Sequence, residues 1–248
     1  MMGVDLARVL DPCLLAVDCG ISPDPWQADL LRKKPHRALM LASRQSGKTL
    51  TASFMGLHTA LYEPGSLVLI VSPSQRQSAE MFRTVLGFYH QLTGVPELAA
   101  ESVLRAEFKN GSRIVALPGQ KGETIRGYSR ASLIILDEAS RIEDDLISAL
   151  TPMLATSNGK FIALSTPAGA IGWFYESWVG PEEWMRVQVN ATECPRISAE
   201  FLAEQLRTMG PLKYSQEFGL VFVDTADAMF LNATIEQAFT DEIAPLWN

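Results

Sequence analysis

The residues best suited to do chemistry fall in three short segments. Residues 42–49 read Ala-Ser-Arg-Gln-Ser-Gly-Lys-Thr, residues 132–139 read Ser-Leu-Ile-Ile-Leu-Asp-Glu-Ala, and residues 162–167 read Ile-Ala-Leu-Ser-Thr-Pro. In the first, Gly47 lets a helix N-terminus approach an anion, Lys48 suits the β- and γ-phosphates of a nucleotide, and the Thr49 hydroxyl suits Mg2+. Average composition produces such a tripeptide by chance in roughly one chain of this size in ten. Its setting, with an apolar strand before it and a helix after it, makes phosphate binding the stronger reading. Ala42 stands where the usual pattern has its first glycine, which marks a variant loop. In the second segment four apolar residues, Leu133 to Leu136, bury a strand and deliver Asp137 and Glu138 at its carboxyl end. With the lysine loop upstream, Asp137 is expected to stand behind the hydration shell of Mg2+ and Glu138 to orient and polarise the attacking water. In the third, Ser165, Thr166 and Pro167 end a strand and suit a sensor of the γ-phosphate or the water that passes its state onward. The cofactors expected are ATP and Mg2+.

These segments need strands that end on one edge of a sheet, and the chain alternates strand and helix patterns as a parallel sheet requires. The pattern predicts strands at 37–42, 67–72, 132–136 and 160–165, and one more over 185–190. Helices are predicted from Lys48 to about Tyr62, stopped by Pro64-Gly65, from Pro73 to about Leu92, and near Asp144–Ala155. Asn110-Gly111 reads as the turn of a hairpin between 106–109 and 112–117. Gly119–Ser129 is a glycine-rich polar loop, and after about Cys194 the pattern weakens to two short helices, a peripheral lid or linker. The expected fold is α/β, a P-loop NTPase of the RecA-like class with a mainly parallel sheet flanked by helices. The core is placed at 1–194 and the lid or linker at 195–248.

With 248 residues, 47% of them hydrophobic, the chain can bury a full core. No apolar run approaches the roughly 18 residues of a membrane span, and the early Asp5, Asp11 and Asp18 do not suit a signal peptide, so a soluble intracellular protein is expected. Cys13, Cys19 and Cys194 suit a reducing compartment. A net charge of −7 excludes a uniformly basic surface, so any contact with DNA must come from local patches. Candidates are Arg32, Lys33, Lys34 and Arg37, then Arg105, Lys109 and Arg113, each of which could equally be a solvated face.

Taken together, Pro25-Trp26-Gln27, the loop from Ser43 to Thr49, V-S-P-S at 71–74, I-R-G at 125–127, L-I-I-L-D-E-A, S-T-P and G-W-F-Y-E at 172–176 resemble the ATPase domain of the large terminase subunit of tailed bacteriophages. The resemblance runs from Pro25 to Asp224. It implies an ATP-hydrolysing motor that drives double-stranded DNA into a procapsid, with portal protein, small terminase subunit and further copies in a ring as partners, docked from the host cytoplasm and away from membranes. It implies that Ser43, Gln45 and Ser46 share the phosphate loop with Gly47, Lys48 and Thr49. Gln27 would read the adenine edge, with Trp26 or a neighbour packing nearby. Arg44 would approach the γ-phosphate, and Arg126, or its neighbour Arg130, would act as an arginine finger in an adjacent subunit's site. Large terminases also carry a nuclease domain; only 24 residues follow Asp224, so no nuclease activity is expected here. A two-domain helicase shares several of these segments but needs a second domain of similar size. A nucleotide-gated assembly module without turnover has no need of Glu138.

Overall fold

The runs that lack alternation, such as Leu-Val-Leu-Ile-Val at 67–71, require a sheet covered on both faces. In the computed structural model, which describes residues 2–119, 125 and 127–223, they form its centre. The strands are β1 (Arg37–Ala42), β2 (Leu67–Ser72), β3 (Leu98–Glu101), β4 (Arg105–Phe108), β5 (Arg113–Pro118), β6 (Leu133–Asp137), β7 (Lys160–Ser165) and β8 (Met185–Val189). Their order across the sheet is β3-β4-β5-β2-β6-β7-β1-β8. From β5 to β8 every neighbouring pair is parallel, while β4 joins β5, and β3 joins β4, antiparallel.

Successive residues of each central strand feed opposite layers. Met40, Ile70, Ile135 and Leu164 enter one core with Phe54, Leu57, Phe82 and Val85. Leu39, Leu69, Ile134 and Phe161 enter the other with Leu146, Ile147, Leu150 and Phe174. The first layer is built by α1 (Met2–Leu10), α2 (Cys13–Asp18), α3 (Pro25–Lys33), α4 (Lys48–Tyr62) and α5 (Gln75–Tyr89), and the second by α6 (Asp144–Leu150), a 3-10 turn at Thr151–Leu154 and α7 (Trp173–Val179). Fully burying a side chain such as Leu57 or Phe82 is worth about 1.5–3 kcal/mol, so these layers hold the sheet against its helices. Two further helices, α8 (Ala199–Met209) and α9 (Pro211–Glu217), pack on each other through Leu202 and Phe218.

The expected strands and hairpin are present, with Asn110 and Gly111 in the turn and Gly111 at φ 84°. The helix expected from Pro73 starts instead at Gln75, because Ser74 caps it by accepting from the Gln77 N–H. The helix expected to reach Ala155 tightens to 3-10 at Thr151, where Pro152 removes a backbone donor. The loop at Gly119–Ser129 lies partly outside the described residues; within it Ile125 is fully buried.

Candidate nucleotide site

The three segments meet because of strand order and register. β7 lies between β6 and β1, with Asp137 level with Leu164 and Leu41 level with Ser165. The acidic pair, the Ser-Thr-Pro segment and the loop after β1 therefore emerge side by side at one carboxyl edge, where ligands of open α/β sheets bind.

The loop from Ser43 to Thr49 turns through left-handed backbone at Gln45, φ 60°, and Gly47, φ 94°. A Cβ at Gly47 would stand 2.5 Å from Gln27 Nε2, so a side chain there would displace the Gln27 amide as well as strain the left-handed backbone. The N–H groups of Gly47, Lys48 and Thr49 bond to no described residue. They begin the 15-residue helix α4, whose first turn carries no acidic residue, leaving an N-terminal set of donors open to an anion. Ser43 and Ser46 are buried; Ser46 Oγ donates to the Ser43 carbonyl at 2.8 Å.

Lys48 Nζ lies 3.2 Å from Glu138 Oε1. Glu138 itself sits at φ 53°, a left-handed conformation that costs a non-glycine residue on the order of 1 kcal/mol or more and recurs at functional positions. Thr166 Oγ1 donates to Glu138 Oε2 at 3.4 Å, and Ser140 Oγ shares a 2.6 Å bond with Ser165 Oγ while donating to the Thr166 carbonyl. Thus the end of β7 touches the residue expected to position water.

Asp137 is 7% exposed and its Oδ1 has no hydrogen-bond partner among the described residues. Burial, and next the charge of Glu138, push its carboxyl up to about 6, while Lys48 and the Thr49 hydroxyl pull the other way. Ser72 ends β2 level with it, since Val71 pairs with Leu136, and the Ser72 hydroxyl is buried without a partner among the described residues as well. The orphaned Asp137 oxygen, on the carboxylate that meets the Thr49 hydroxyl, and the orphaned Ser72 hydroxyl level with it fit a hydrated Mg2+. Ser72 belongs to the V-S-P-S segment of the resemblance, yet nothing in its spacing marks it as part of the site.

Three expected residues have partners of their own. Gln27 is buried; its Oε1 accepts from the Asp24 N–H at 2.8 Å, completing a capping box at the start of α3, and its Nε2 reaches the Gly47 carbonyl at 3.4 Å. One amide hydrogen and one oxygen lone pair remain for a base. Arg44 turns away from the loop onto Glu217 of α9, and Gln216 Nε2 donates to the Pro167 carbonyl at 3.1 Å. The described part of the segment after Cys194, expected as a peripheral lid or linker, is thus bonded through Glu217 and Gln216 to both the loop after β1 and the Ser-Thr-Pro segment. Arg126 lies outside the described residues. Arg130, φ 57°, lines an open cavity of about 500 Å3 with Gly65, Leu67, Arg113 and Ser132, at the amino edge of the sheet and away from its own chain's site.

Most basic residues named for DNA contact are internally engaged: Arg32 with Asp11, Lys33 with Asp29, Lys109 with Glu97 and Arg105 with Glu107. Arg37 lies over the Phe161 and Trp184 rings. Sequence reading also passed over Arg196, whose guanidinium reaches Asp24 and the phosphate loop.

Among solved structures, the ATPase domain of the large terminase of Thermus phage P74-26 superimposes with a TM-score of 0.73 at 23% identity, covering 84% of this chain and 97% of that one. The large terminase of a thermophilic bacteriophage, solved in complex with ADP, gives 0.64 at 13% identity over 87% and 53%. In sequence, the large terminase subunit of Thermus virus P23-45 is 26% identical over 85% of this chain and 51% of its own length. The chain thus spans about half the length of the curated relatives it matches. Residues 39–237 match the family described as terminase large subunit, T4likevirus-type, N-terminal, and the chain belongs to that family.

Proposed function

We propose that this chain binds and hydrolyses Mg-ATP at the carboxyl edge of β1, β6 and β7, and that hydrolysis drives double-stranded DNA into a procapsid. The observation that supports it most is the meeting of Lys48 with Glu138, 3.2 Å apart, beside an open set of helix N-terminal donors.

The loop N–H groups receive the phosphates and Lys48 leaves Glu138 for their β- and γ-oxygens. That exchange releases the Glu138 carboxylate to orient a water and take up its proton as the water oxygen bonds the γ-phosphorus and the bond from that phosphorus to the β-phosphate oxygen breaks, ADP leaving. Thr49 and Asp137 would hold Mg2+, which when bound neutralises charge on the phosphate oxygens. Thr166, bonded to Glu138, registers whether that carboxylate faces Lys48 or the water, and Pro167 hands the change to α9 through Gln216. Gln27 offers its remaining amide groups to the adenine edge, and Arg44 is free for the γ-phosphate only when it leaves Glu217.

The same proposal takes the portal protein, the small terminase subunit and further copies in a ring as partners, with Arg126 acting in a neighbour's site, at a procapsid in the host cytoplasm. No described helix is long and apolar enough to cross a membrane. The test is steady-state ATP hydrolysis with and without duplex DNA and portal, in wild type and Lys48→Ala. Hydrolysis that survives loss of Lys48 would reject the site.

A further inference from the structure

Arg196 joins three parts of the chain that sequence keeps far apart. Its Nη1 and Nη2 donate to Asp24 Oδ1 and Oδ2 at 2.8 and 2.7 Å, and Nη2 also donates to the Ser46 carbonyl at 3.2 Å. Asp24 is the N-cap of α3, and its N–H bonds Gln27, whose Nε2 reaches the Gly47 carbonyl. Two consecutive carbonyls of the phosphate loop are thus fastened, directly or through Gln27, to one helix N-terminus.

The direction of those carbonyls decides the direction of the donors. A trans peptide is planar, with its C=O and N–H on opposite sides, so holding the Ser46 carbonyl outward turns the Gly47 N–H inward. Holding the Gly47 carbonyl outward does the same for the Lys48 N–H. The Gly47 carbonyl has further support, from the Thr51 N–H and hydroxyl, each at 3.0 Å. For the Ser46 carbonyl, Arg196 is the one side-chain donor among the described residues. The left-handed turns at Gln45 and Gly47 give this loop other accessible peptide orientations once that bond is gone.

We propose that Arg196, forked onto Asp24, is a positioning residue that holds the phosphate loop in its anion-binding orientation and so sets nucleotide affinity from the C-terminal segment. This rests on the reading of the site as a nucleotide site. Arg196 acts through the loop, so its loss weakens capture of the triphosphate and leaves the chemical step to Lys48 and Glu138.

The test titrates Mg-ATP, by binding and by steady-state kinetics, into wild type, Arg196→Ala, Arg196→Lys, Asp24→Asn and Lys48→Ala. Asn is as good an N-cap as Asp, so Asp24→Asn keeps α3 while breaking the charged fork, and far-UV circular dichroism checks that it folds. Arg196→Ala and Asp24→Asn should each raise Kd and KM about tenfold with kcat within about twofold, the pattern of lost positioning for binding alone. Arg196→Lys should resemble Arg196→Ala, because a point charge does not replace a planar fork. The sign for Asp24→Asn is decisive: removing a negative charge near the phosphates, or freeing Arg196 to meet them, would tighten binding. Tighter or unchanged binding in Asp24→Asn, rescue by Lys, or a fall in kcat at unchanged KM overturns the brace. If Lys48→Ala loses binding while the other variants match wild type, the brace alone fails. If wild type itself fails to bind Mg-ATP, the nucleotide reading fails and the brace with it.

Discussion

Arg44 and Glu217 are fastened together across 173 residues of chain: Nε meets Oε2 at 2.7 Å, Nη2 meets Oε1 at 3.0 Å, and the Arg44 N–H bonds the Glu217 carbonyl at 3.2 Å. Glu217 is 4% exposed whereas the arginine side chain is half open to solvent. The pair is therefore asymmetric, since removing the arginine strands a buried carboxylate, while removing the carboxylate frees a guanidinium already in water. Arg44→Ala should destabilise the protein by about 1–3 kcal/mol and lower ATP turnover. Glu217→Gln keeps one hydrogen bond, should cost less in a urea melt, and should leave turnover equal or raised because Arg44 becomes free for the γ-phosphate. Equal loss of turnover in both variants would mean that Arg44 works in the pair and not at the phosphate.

Lys48 and Glu138 share one ion pair but are proposed to do different jobs, and substitution separates them. Lys48→Ala should lose Mg-ATP binding. Glu138→Gln should bind Mg-ATP at least as tightly, since Lys48 no longer has a carboxylate to leave, and lose about 10²-fold or more in turnover, the scale of a missing general base. A fluorescent nucleotide titration beside a phosphate-release assay reads both. Wild-type turnover in Glu138→Gln would remove it from the chemistry.

If Asp137 holds the cation as proposed, cation-linked binding depends on pH. Its carboxyl is raised to about 6, first by burial and next by Glu138, and only the ionised form attracts Mg2+. Nucleotide affinity in the presence of Mg2+ should therefore strengthen as pH rises through about 6, and Asp137→Asn should bind weakly with that step flattened. Isothermal titration at pH 5.5, 6.5 and 7.5 checks it; a wild-type affinity that is level across this range would place the cation elsewhere.

What the sequence made legible was whatever one element carries by itself. Leu133 to Asp137 announces a central strand with an acid at its tip, and Gly47-Lys48-Thr49 announces a helix start, so the Lys48 and Glu138 meeting followed once both sat on one sheet edge. β3 was not anticipated, because Leu98-Ala-Ala-Glu lacks β-branched residues and its exposed edge leaves no hydrophobic pattern to read. The helices before Pro25 were likewise missed. Glu217 and Arg196 were invisible for a different reason. Glu217 ends α9 and Arg196 precedes α8, and the role of each arises from a contact with Arg44 or Asp24 that no spacing encodes. The same holds for the pairing of Lys109 with Glu97 and Arg105 with Glu107, which neutralises charge that composition alone leaves open for DNA.

His58 gives a stability prediction independent of the site. It lies on α4, buried against α1, with Nε2 3.1 Å from the Arg8 carbonyl. Burial first and the Lys34 charge second hold its imidazole down to about 4, against an ordinary 6.5. Above pH 6.5 the ring is neutral in both folded and unfolded chains, and its contribution is complete. As pH falls from 6.5 towards 4, the unfolded chain takes a proton that the folded one refuses, so stability is lost, on the order of 3 kcal/mol in all. Asp137 acts in the opposite sense, because a carboxyl raised in the folded state holds its proton between about 6 and 3.8 and adds stability as pH falls. A wild-type curve alone would mix the two. Comparison with His58→Gln removes the shared part, since Asp137 contributes equally to both proteins. Glutamine can still donate to the Arg8 carbonyl and does not titrate. Urea unfolding at pH 7.5, 6.5, 5.5 and 4.5 should show wild type losing stability relative to His58→Gln below pH 6.5, with the difference constant above 7. Parallel curves over the whole range would show that His58 titrates alike in folded and unfolded chains, and that its burial costs the charged form nothing.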